Sequence, residues 1–207
     1  MRCVIIAGSP DYDVDFILAT VKKDDFIICA DKGYLYARNA GIFPDIVVGD
    51  FDSYNEKISD NCEIIKLNPH KDDTDTIHSI DIAFSRGYSN IVILCGIGGR
   101  FDHTYSNVAA LQYISQKGGK GLLLSADERI EFLPTGEYSF KGYMGKTFSL
   151  FPFGCSDVFV SYKGAEYSLD YYRLENSIPM GVSNVFITDE AKVTIHKGNA
   201  IIIINNF

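Results

Sequence analysis

The amino-acid sequence predicts an α/β protein with an open, mainly parallel N-terminal sheet, flanking helices, and a C-terminal antiparallel β-sandwich domain. Apolar, strand-like runs alternate with helical patterns up to about residue 125, which is typical of a parallel α/β sheet. Beyond that point the strand patterns are short and closely separated by Gly, Asn and Pro. The chain has 207 residues, 46% of them hydrophobic, enough for two small domains with buried cores. We therefore expect one domain over residues 1–126 and a second over residues 127–207.

The N-terminal strands are predicted from continuous apolar runs rich in Val and Ile, as expected of strands buried on both faces of a parallel sheet. These runs are Cys3–Ala7, Phe26–Ala30, Ile46–Val48, Glu63–Leu67, Asn90–Cys95 and Gly121–Leu124. Two helices are predicted between them. Asp75–Arg86 repeats apolar residues at helical spacing and ends at Gly87, and Asp102–Lys117 ends before Gly118.

The C-terminal domain is predicted from seven short strand patterns. They are Arg129–Phe132, Glu137–Lys141, Thr147–Pro152, Asp157–Tyr162, Val185–Thr188, Lys192–His196 and Ala200–Asn205. In one of them Val193 and Ile195 alternate with polar residues, as in a half-buried strand. Because no long helical period occurs here, the pattern favours an antiparallel sandwich.

The charge of the chain limits its partners. The formal net charge is −8, and no run of Lys and Arg occurs. We therefore expect neither nucleic acid nor a membrane surface as a partner, because both are polyanionic. An acidic protein still binds a polyphosphate when its carboxylates first bind a divalent cation.

The cysteines indicate a reducing compartment. The five cysteines have no C-x-x-C spacing, and Cys3, Cys29 and Cys95 lie inside apolar runs where buried thiols are ordinary. The first apolar run is too brief for a signal or transmembrane segment. We therefore expect a cytoplasmic protein.

Two aspartates, Asp50 and Asp52, follow the strand pattern of Ile46–Val48. In extended backbone, residues two apart point to the same side, with their Cα atoms about 6.5 Å apart. Two carboxylates about 4 Å apart repel by about 4 kcal/mol at an effective dielectric constant near 20. A Mg²⁺ ion removes this repulsion and attracts phosphate oxygens. The alternative is a turn, since Asp, Gly and Ser are turn formers.

A second acidic cluster, Lys71–Asp75, precedes the first predicted helix. A purely structural interpretation of this cluster is helix capping, because Asp and Thr are preferred caps and acids favour the positive end of the helix dipole. One cap needs one side chain, however, and this segment has three carboxylates in four positions. At least one acid is then available to a cation or a reacting hydroxyl.

The third cluster, Gly96–His103, opens the second predicted helix. Its glycines let the backbone approach a ligand, and Arg100 can donate two parallel hydrogen bonds to a phosphate. The cluster matches neither the dinucleotide-binding fingerprint nor the P-loop. The alternative is a tight turn capped by Asp102 with Arg100 in solvent, and His103 would either contact phosphate or lie on the surface.

These clusters fall at one edge of the predicted sheet, where Asp31 ends the run Phe26–Ala30. The side chains expected to converge there are Asp31, Asp50, Asp52, Asp75 and Arg100. Turn chemistry accounts for each cluster alone but not for their convergence. A metal ion with a triphosphate accounts for it.

Four segments, read in order, resemble the thiamine pyrophosphokinase (thiamin diphosphokinase) family. They are Ala30–Gly33, Pro44–Ser53, Lys71–Asp75 and Gly96–His103 with Asn107. Lys163–Leu169 and Gly181–Asn184 match less closely, so the resemblance covers nearly the whole chain. It implies an α/β domain for Mg-ATP, a β-sandwich that binds thiamine, and a homodimer with active sites between subunits. It also implies that the thiamine hydroxyl attacks the β-phosphorus of ATP, which gives thiamine diphosphate and AMP.

The same resemblance implies roles for individual residues. Mg²⁺ would be held by Asp31, Asp50, Asp52 and Asp75. The nucleotide would contact Asp31, Gly98, Gly99, Arg100, Asp102 and His103. Thiamine would contact Asp75, Tyr167, Ser183 and Asn184. Arg100 would neutralise the migrating charge, and either Asp72 or Asp75 would accept the hydroxyl proton.

Two residues depart from the family pattern. Lys32 stands where the family often has Gly, so it either assists phosphate or is simply exposed. Tyr167 stands where some members have Trp, and a Tyr ring also stacks on an aromatic ring.

The first alternative function is a metal-dependent glycosyltransferase that holds a nucleotide sugar through Asp50 and Asp52. The second is a non-catalytic nucleotide or thiamine sensor.

Overall fold

The structure is a computed structural model that describes residues 1–49, 62–68 and 74–207. Backbone contacts separate two units, Met1–Ala126 and Asp127–Phe207. Strands and helices alternate in the described residues of the first unit, whereas the second unit, described throughout, consists of strands joined by turns. The fold class predicted from the sequence is confirmed.

The N-terminal unit contains six described strands and four described helices. In chain order they are β1 (Cys3–Ile6), α1 (Val14–Thr20), β2 (Phe26–Ala30), α2 (Gly33–Asn39), β3 (Ile46–Gly49), β4 (Glu63–Lys66), α3 (Asp75–Ser85), β5 (Asn90–Leu94), α4 (Phe101–Gln116) and β6 (Lys120–Leu124). The strands lie in the order β6-β5-β1-β2-β3-β4. Every neighbouring pair among them is parallel.

The centre of this sheet is apolar on both faces. All residues of β1 and β3 are buried, because helices pack against them. The sequence also predicted a fully buried strand at β4, and that prediction is wrong. β4 pairs with β3 and is the last strand of the sheet among the described residues, and Ile64 is 49% exposed. Its position at the edge, which the residue pattern does not encode, leaves it in contact with solvent.

The starts of the helices follow from their caps. Thr74 caps α3, and its Oγ1 accepts a hydrogen bond from the Ile77 N–H at 3.3 Å. Arg100 occupies the cap position of α4, so the interpretation of Asp102 as the cap is wrong. Asp102 lies in the first turn, where its negative charge favours the positive end of the helix dipole. None of the helices in the described residues is long and apolar enough to cross a bilayer.

The C-terminal unit has two antiparallel sheets. Its strands are β7 (Glu128–Leu133), β8 (Gly136–Lys141), β9 (Thr147–Pro152), β10 (Asp157–Lys163), β11 (Leu169–Glu175), β12 (Asn184–Val185), β13 (Glu190–Lys197) and β14 (Ala200–Asn205). One sheet has the order β12-β9-β14-β7 and the other the order β11-β10-β13-β8. Phe148 and Ile202 of the first sheet share a buried core with Val160 and Ile195 of the second. This is the predicted sandwich.

Candidate active site

A cavity of about 820 Å³ opens at the carboxyl edge of the parallel strands in the N-terminal unit. Its walls come from the segments that follow β1, β2 and β5 and from the first turns of α3 and α4. Ligands of open α/β sheets bind at this edge, because the loops that leave neighbouring strands meet there. Seven of the residues expected at the site line this cavity: Asp31, Asp75, Gly98, Gly99, Arg100, Asp102 and His103.

Three other expected residues, Asp50, Asp52 and Asp72, lie outside the described residues. No group of three or more Asp, Glu, His or Cys side chains in the described ranges is arranged to hold a metal ion. Asp31, directly after β2, and Asp75, at the start of α3, nevertheless line the same cavity. Carboxylate oxygens are the ligands that Mg²⁺ prefers, so the donor chemistry at this edge fits that ion.

The glycines of the turn after β5 make room for another loop of the chain. Gly98 and Gly99 have φ angles of +104° and +65°, which favour glycine. A Cβ on Gly98 would lie 2.3 Å from an oxygen of Asp11, and a Cβ on Gly99 would lie 2.6 Å from Pro10. The sequence pattern favoured close approach of a ligand here. The structure shows that the segment after β1 makes this approach.

The backbone N–H groups of these two glycines already have protein acceptors. The Gly98 N–H donates to Thr104 Oγ1 at 3.1 Å, and the Gly99 N–H donates to Asp11 Oδ2 at 2.9 Å. Ser9 strengthens the same junction, because its hydroxyl donates to the Ile97 carbonyl at 2.7 Å. These two N–H groups are therefore already engaged by the protein in this structure.

Arg100 lies at the rim of the cavity, paired with Asp102. Its Nε donates to Asp102 Oδ1 at 3.1 Å, and its Nη2 contacts the other carboxylate oxygen. Hydrogen bonding from Arg100 lowers the pKa of Asp102, and the same bond raises the pKa of Arg100. Both side chains are largely exposed. The pair keeps Asp102 ionised and holds the guanidinium at the mouth of the cavity, with further N–H donors in its planar fork.

Asp31 is held at the end of β2 in an uncommon backbone conformation. Its φ angle is +50°, and its N–H donates to the Val48 carbonyl of β3 at 2.8 Å. Two residues later, a Cβ on Gly33 would lie 1.9 Å from the carbonyl oxygen of Ile6, so only glycine fits. This close packing of α2 against β1 fixes the segment that carries Asp31 and Lys32.

Asp75 is the first residue of α3, directly after the cap. Since Thr74 provides the cap, the carboxylate of Asp75 is not needed for capping. It lies in the first helical turn, where the helix dipole stabilises its negative charge. Asp75 therefore lines the cavity without serving as the cap of α3.

Several residues of the cavity were not singled out from the sequence. Gly8, Ser9 and Pro10 line it. Asn107, which the sequence motif did include, also lines it, and its Nδ2 donates to the Gly96 carbonyl at 2.8 Å. The signal that would have found the first three is their position. They directly follow the strand β1 at the same sheet edge as the recognised clusters.

The expected thiamine contacts lie in the C-terminal unit. Asn184 is buried, accepts a hydrogen bond from the Tyr167 N–H at 3.0 Å, and donates to the Tyr167 carbonyl at 2.8 Å. The Tyr167 side chain is 67% exposed. Ser183 has a φ angle of +59°, and its N–H donates to Ser149 Oγ at 3.1 Å. Asn184 therefore anchors the backbone that presents an exposed aromatic ring.

The fold and site define a two-domain α/β protein, in which a parallel unit with a cavity lined by charged side chains is followed by an antiparallel sandwich. Residues 18–122 match the family model described as thiamin pyrophosphokinase, catalytic domain. Residues 134–202 match the model described as thiamin pyrophosphokinase, vitamin B1 binding domain. The chain belongs to the thiamin pyrophosphokinase family, as its motifs predicted.

Known relatives agree with this assignment. The chain is 28% identical to a thiamine pyrophosphokinase of Bacillus subtilis over 207 residues, which cover 96% of each chain. It is also 28% identical to thiamin pyrophosphokinase 1 of Caenorhabditis elegans over 158 residues, 72% of this chain and 65% of the relative. The crystal structure of the Bacillus subtilis enzyme superposes over the full length of both chains with a TM-score of 0.90 and 26% identity.

Proposed function

We propose that this protein transfers the pyrophosphoryl group of ATP to the hydroxyl of thiamine, giving thiamine diphosphate and AMP. The observation that carries the proposal is the convergence of Asp31, Asp75 and Arg100 on one cavity within the stretch that matches the catalytic-domain model. Helix capping accounts for neither Asp75 nor Arg100, since Thr74 is the cap of α3 and Arg100 makes no side-chain cap.

The reaction needs alignment and charge neutralisation more than covalent help. The thiamine hydroxyl oxygen forms a bond to the β-phosphorus, the bond from that phosphorus to the oxygen bridging to the α-phosphate breaks, and AMP leaves. The hydroxyl proton passes to a carboxylate, for which we propose Asp75 or Asp72. Arg100 would offset the negative charge that moves between the oxygens.

We propose Mg²⁺ as the metal cofactor. Asp31 and Asp75 would hold it, together with Asp50 and Asp52 from the segment outside the described residues. When bound, Mg²⁺ would neutralise part of the phosphate charge. Gly98, Gly99, Asp102 and His103 would complete the nucleotide side of the cavity through the turn and first helical turn that they form.

Thiamine would contact the C-terminal unit. The exposed ring of Tyr167 is available to stack on an aromatic ring of the substrate, and Asn184 fixes the backbone beneath it. Ser183 directly precedes Asn184 and is exposed, so its hydroxyl is accessible to a ligand. Asp75 would face the reacting end of thiamine.

We further propose that the enzyme is a cytoplasmic homodimer with active sites between subunits. Ile178, Met180 and Val182, between β11 and β12, are each at least half exposed, which supports a contact surface for a second copy. Cys3, Cys29 and Cys95 are buried thiols outside any disulfide, which supports a reducing compartment. Sedimentation of the purified protein measures the oligomeric state.

The test of the reaction is one incubation of purified protein with Mg-ATP and thiamine, followed by chromatography of the nucleotides. We expect AMP to rise in step with thiamine diphosphate and to depend on thiamine. Formation of ADP, or ATP loss that is indifferent to thiamine, would contradict the proposal. Turnover of a nucleotide sugar would support a glycosyltransferase, and binding without AMP would support a sensor.

A further inference from the structure

We infer that Lys32 is a binding residue for the pyrophosphoryl portion of the nucleotide, and this inference rests on the proposed function. Lys32 follows Asp31 at the carboxyl end of β2 and lines the same cavity as Asp75 and Arg100. Its chemistry, position and surroundings each point to a phosphate ligand.

The first argument is the supply of anion-binding groups. The Gly98 and Gly99 amides donate to Thr104 and Asp11, so the turn after β5 does not offer these N–H groups to a ligand. Two of the nitrogens of the Arg100 guanidinium, Nε and Nη2, are engaged by Asp102, which leaves only part of its donors for a ligand. A nucleoside triphosphate keeps a net negative charge even with one Mg²⁺ bound. Its binding in this cavity therefore calls for a further cationic group.

Lys32 provides that cation. Within the described part of the chain, its ammonium group forms neither an ion pair nor a side-chain hydrogen bond, unlike the guanidinium of Arg100. A lysine ammonium is a compact charge with three donors on a flexible four-carbon stem, and it binds phosphates as a point charge. The side chain is exposed.

A further argument is the fixed position of the Lys32 backbone. Gly33 packs against the carbonyl of Ile6 too closely for any other residue, which anchors the chain on one side of Lys32. On the other side, the Asp31 N–H bonds the Val48 carbonyl. Lys32 is thus carried by the same rigid strand end as Asp31, the carboxylate that the proposed function assigns to the metal on the transferred phosphates.

The experiment is equilibrium binding of ATP and AMP, in the presence of Mg²⁺, to the full-length wild type and three variants. The variants are Lys32→Met, Lys32→Arg and, as a matched control, Lys23→Met, which removes an exposed charge of the same unit away from the cavity. We expect Lys32→Met to weaken ATP binding about tenfold, which corresponds to about 1.4 kcal/mol. AMP binding should change less than about twofold, since AMP lacks the pyrophosphoryl portion.

Lys32→Arg should recover most of the ATP affinity, and Lys23→Met should match the wild type for both nucleotides. Lys32 makes no side-chain cap to α2, so the thermal midpoint of Lys32→Met should equal that of the wild type and show that the variant is folded. Equal ATP affinity in the Lys32→Met and Lys23→Met variants would overturn the inference, as would equal weakening of ATP and AMP. Wild-type protein that binds no ATP would instead contradict the proposed function.

Discussion

The carboxylate of Asp11 accepts a hydrogen bond from the backbone N–H of Gly99 at 2.9 Å. This contact joins the segment after β1 to the turn after β5, two strands that are neighbours in the sheet. Ser9 reinforces the junction through backbone and side-chain bonds to the residues before Gly98. The wall of the cavity that carries Arg100 is therefore held by a second loop of the same unit.

Replacing Gly98 with alanine tests this junction. We expect Gly98→Ala to lower the free energy of unfolding by about 2–4 kcal/mol, because the new Cβ adds overpacking to backbone strain. The Cβ would lie 2.3 Å from Asp11 Oδ2, and the φ angle is +104°. Urea denaturation measures the change.

Two controls separate the clash from the strain. Gly118 also has a positive φ angle, +80°, but a Cβ there would meet no atom within 4 Å. Gly118→Ala should therefore cost only about 1 kcal/mol. Adding Asp11→Gly to Gly98→Ala should restore at least about 1 kcal/mol. Equal costs for the two alanine variants, with no rescue by Asp11→Gly, would show that the junction does not constrain the turn.

Asp75 is expected to be needed for turnover and not for folding. Asp75→Asn should lower kcat by at least about 100-fold, since the amide neither accepts the hydroxyl proton nor attracts a cation as the carboxylate does. Steady-state assays with both substrates measure this loss, and circular dichroism checks the fold. Asp52→Asn should behave in the same way if the sequence assignment of that residue is correct.

Asp81→Asn on the same helix is the matched control for Asp75→Asn. Asp81 pairs with Lys117 and Tyr113, and the cavity lining does not include it. Because Asp81 lies outside the cavity lining, its replacement should leave kcat within about twofold of the wild type. The loss of this exposed ion pair should also change the free energy of unfolding little. Near-normal turnover by Asp75→Asn would refute the assignment of Asp75 to the reacting site.

The exposed ring of Tyr167 is expected to set the affinity for thiamine. Tyr167→Ala should raise the KM for thiamine by about twofold to twelvefold, which corresponds to an aromatic contact of about 0.5–1.5 kcal/mol. Tyr167→Trp should preserve it, and the KM for ATP should not change. Tyr105→Ala, which removes another half-exposed ring at 56% exposure, is the control. An unchanged KM for thiamine in Tyr167→Ala would place the thiamine site elsewhere.

The ion pair of Arg2 and Asp25 predicts a loss of stability in acid. Burial alone would raise the pKa of Asp25, but hydrogen bonds from Arg2 and from the Lys22 N–H outweigh burial and lower it below the ordinary value of 3.8. A lowered carboxyl pKa stabilises the folded state above the unfolded pKa, and this stabilisation is lost as the pH falls through the folded pKa. Denaturation should be measured at pH 7, 5 and 3. Below about pH 4, the free energy of unfolding should fall more steeply in the wild type than in Asp25→Asn. Identical pH profiles would contradict the ion-pair account.

Sequence reasoning placed the charged residues of the cavity because it used the order of strands along a parallel sheet. Asp31, Asp75 and Arg100 each follow or precede a recognisable apolar run, so their common edge could be predicted. The occupancy of the Gly99 amide could not, because a glycine pattern does not tell whether a ligand or the chain's own Asp11 approaches it. That distinction depends on the path of a loop 88 residues earlier in the chain.

The residue pattern also did not predict the short helices or the mostly exposed strand. The helices α1 and α2 have seven residues each, too few for a clear apolar period, and they were not predicted. The strand β11 was not predicted either, since its residues are mostly exposed and carry Tyr, Asp and Arg. The strand predicted over Val185–Thr188 is shorter than expected. β12 covers only Asn184–Val185, and beyond it Phe186 makes an isolated bridge with Ala165.

The fate of the terminal phosphate tests the central claim most directly. ATP labelled at the γ-phosphate should be incubated with Mg²⁺, thiamine and the purified protein, and the labelled products separated. Transfer of the pyrophosphoryl group as one unit predicts that the label appears in thiamine diphosphate, with one unlabelled AMP for each. Label in thiamine monophosphate with ADP as the nucleotide product, or label released as free phosphate, would contradict it.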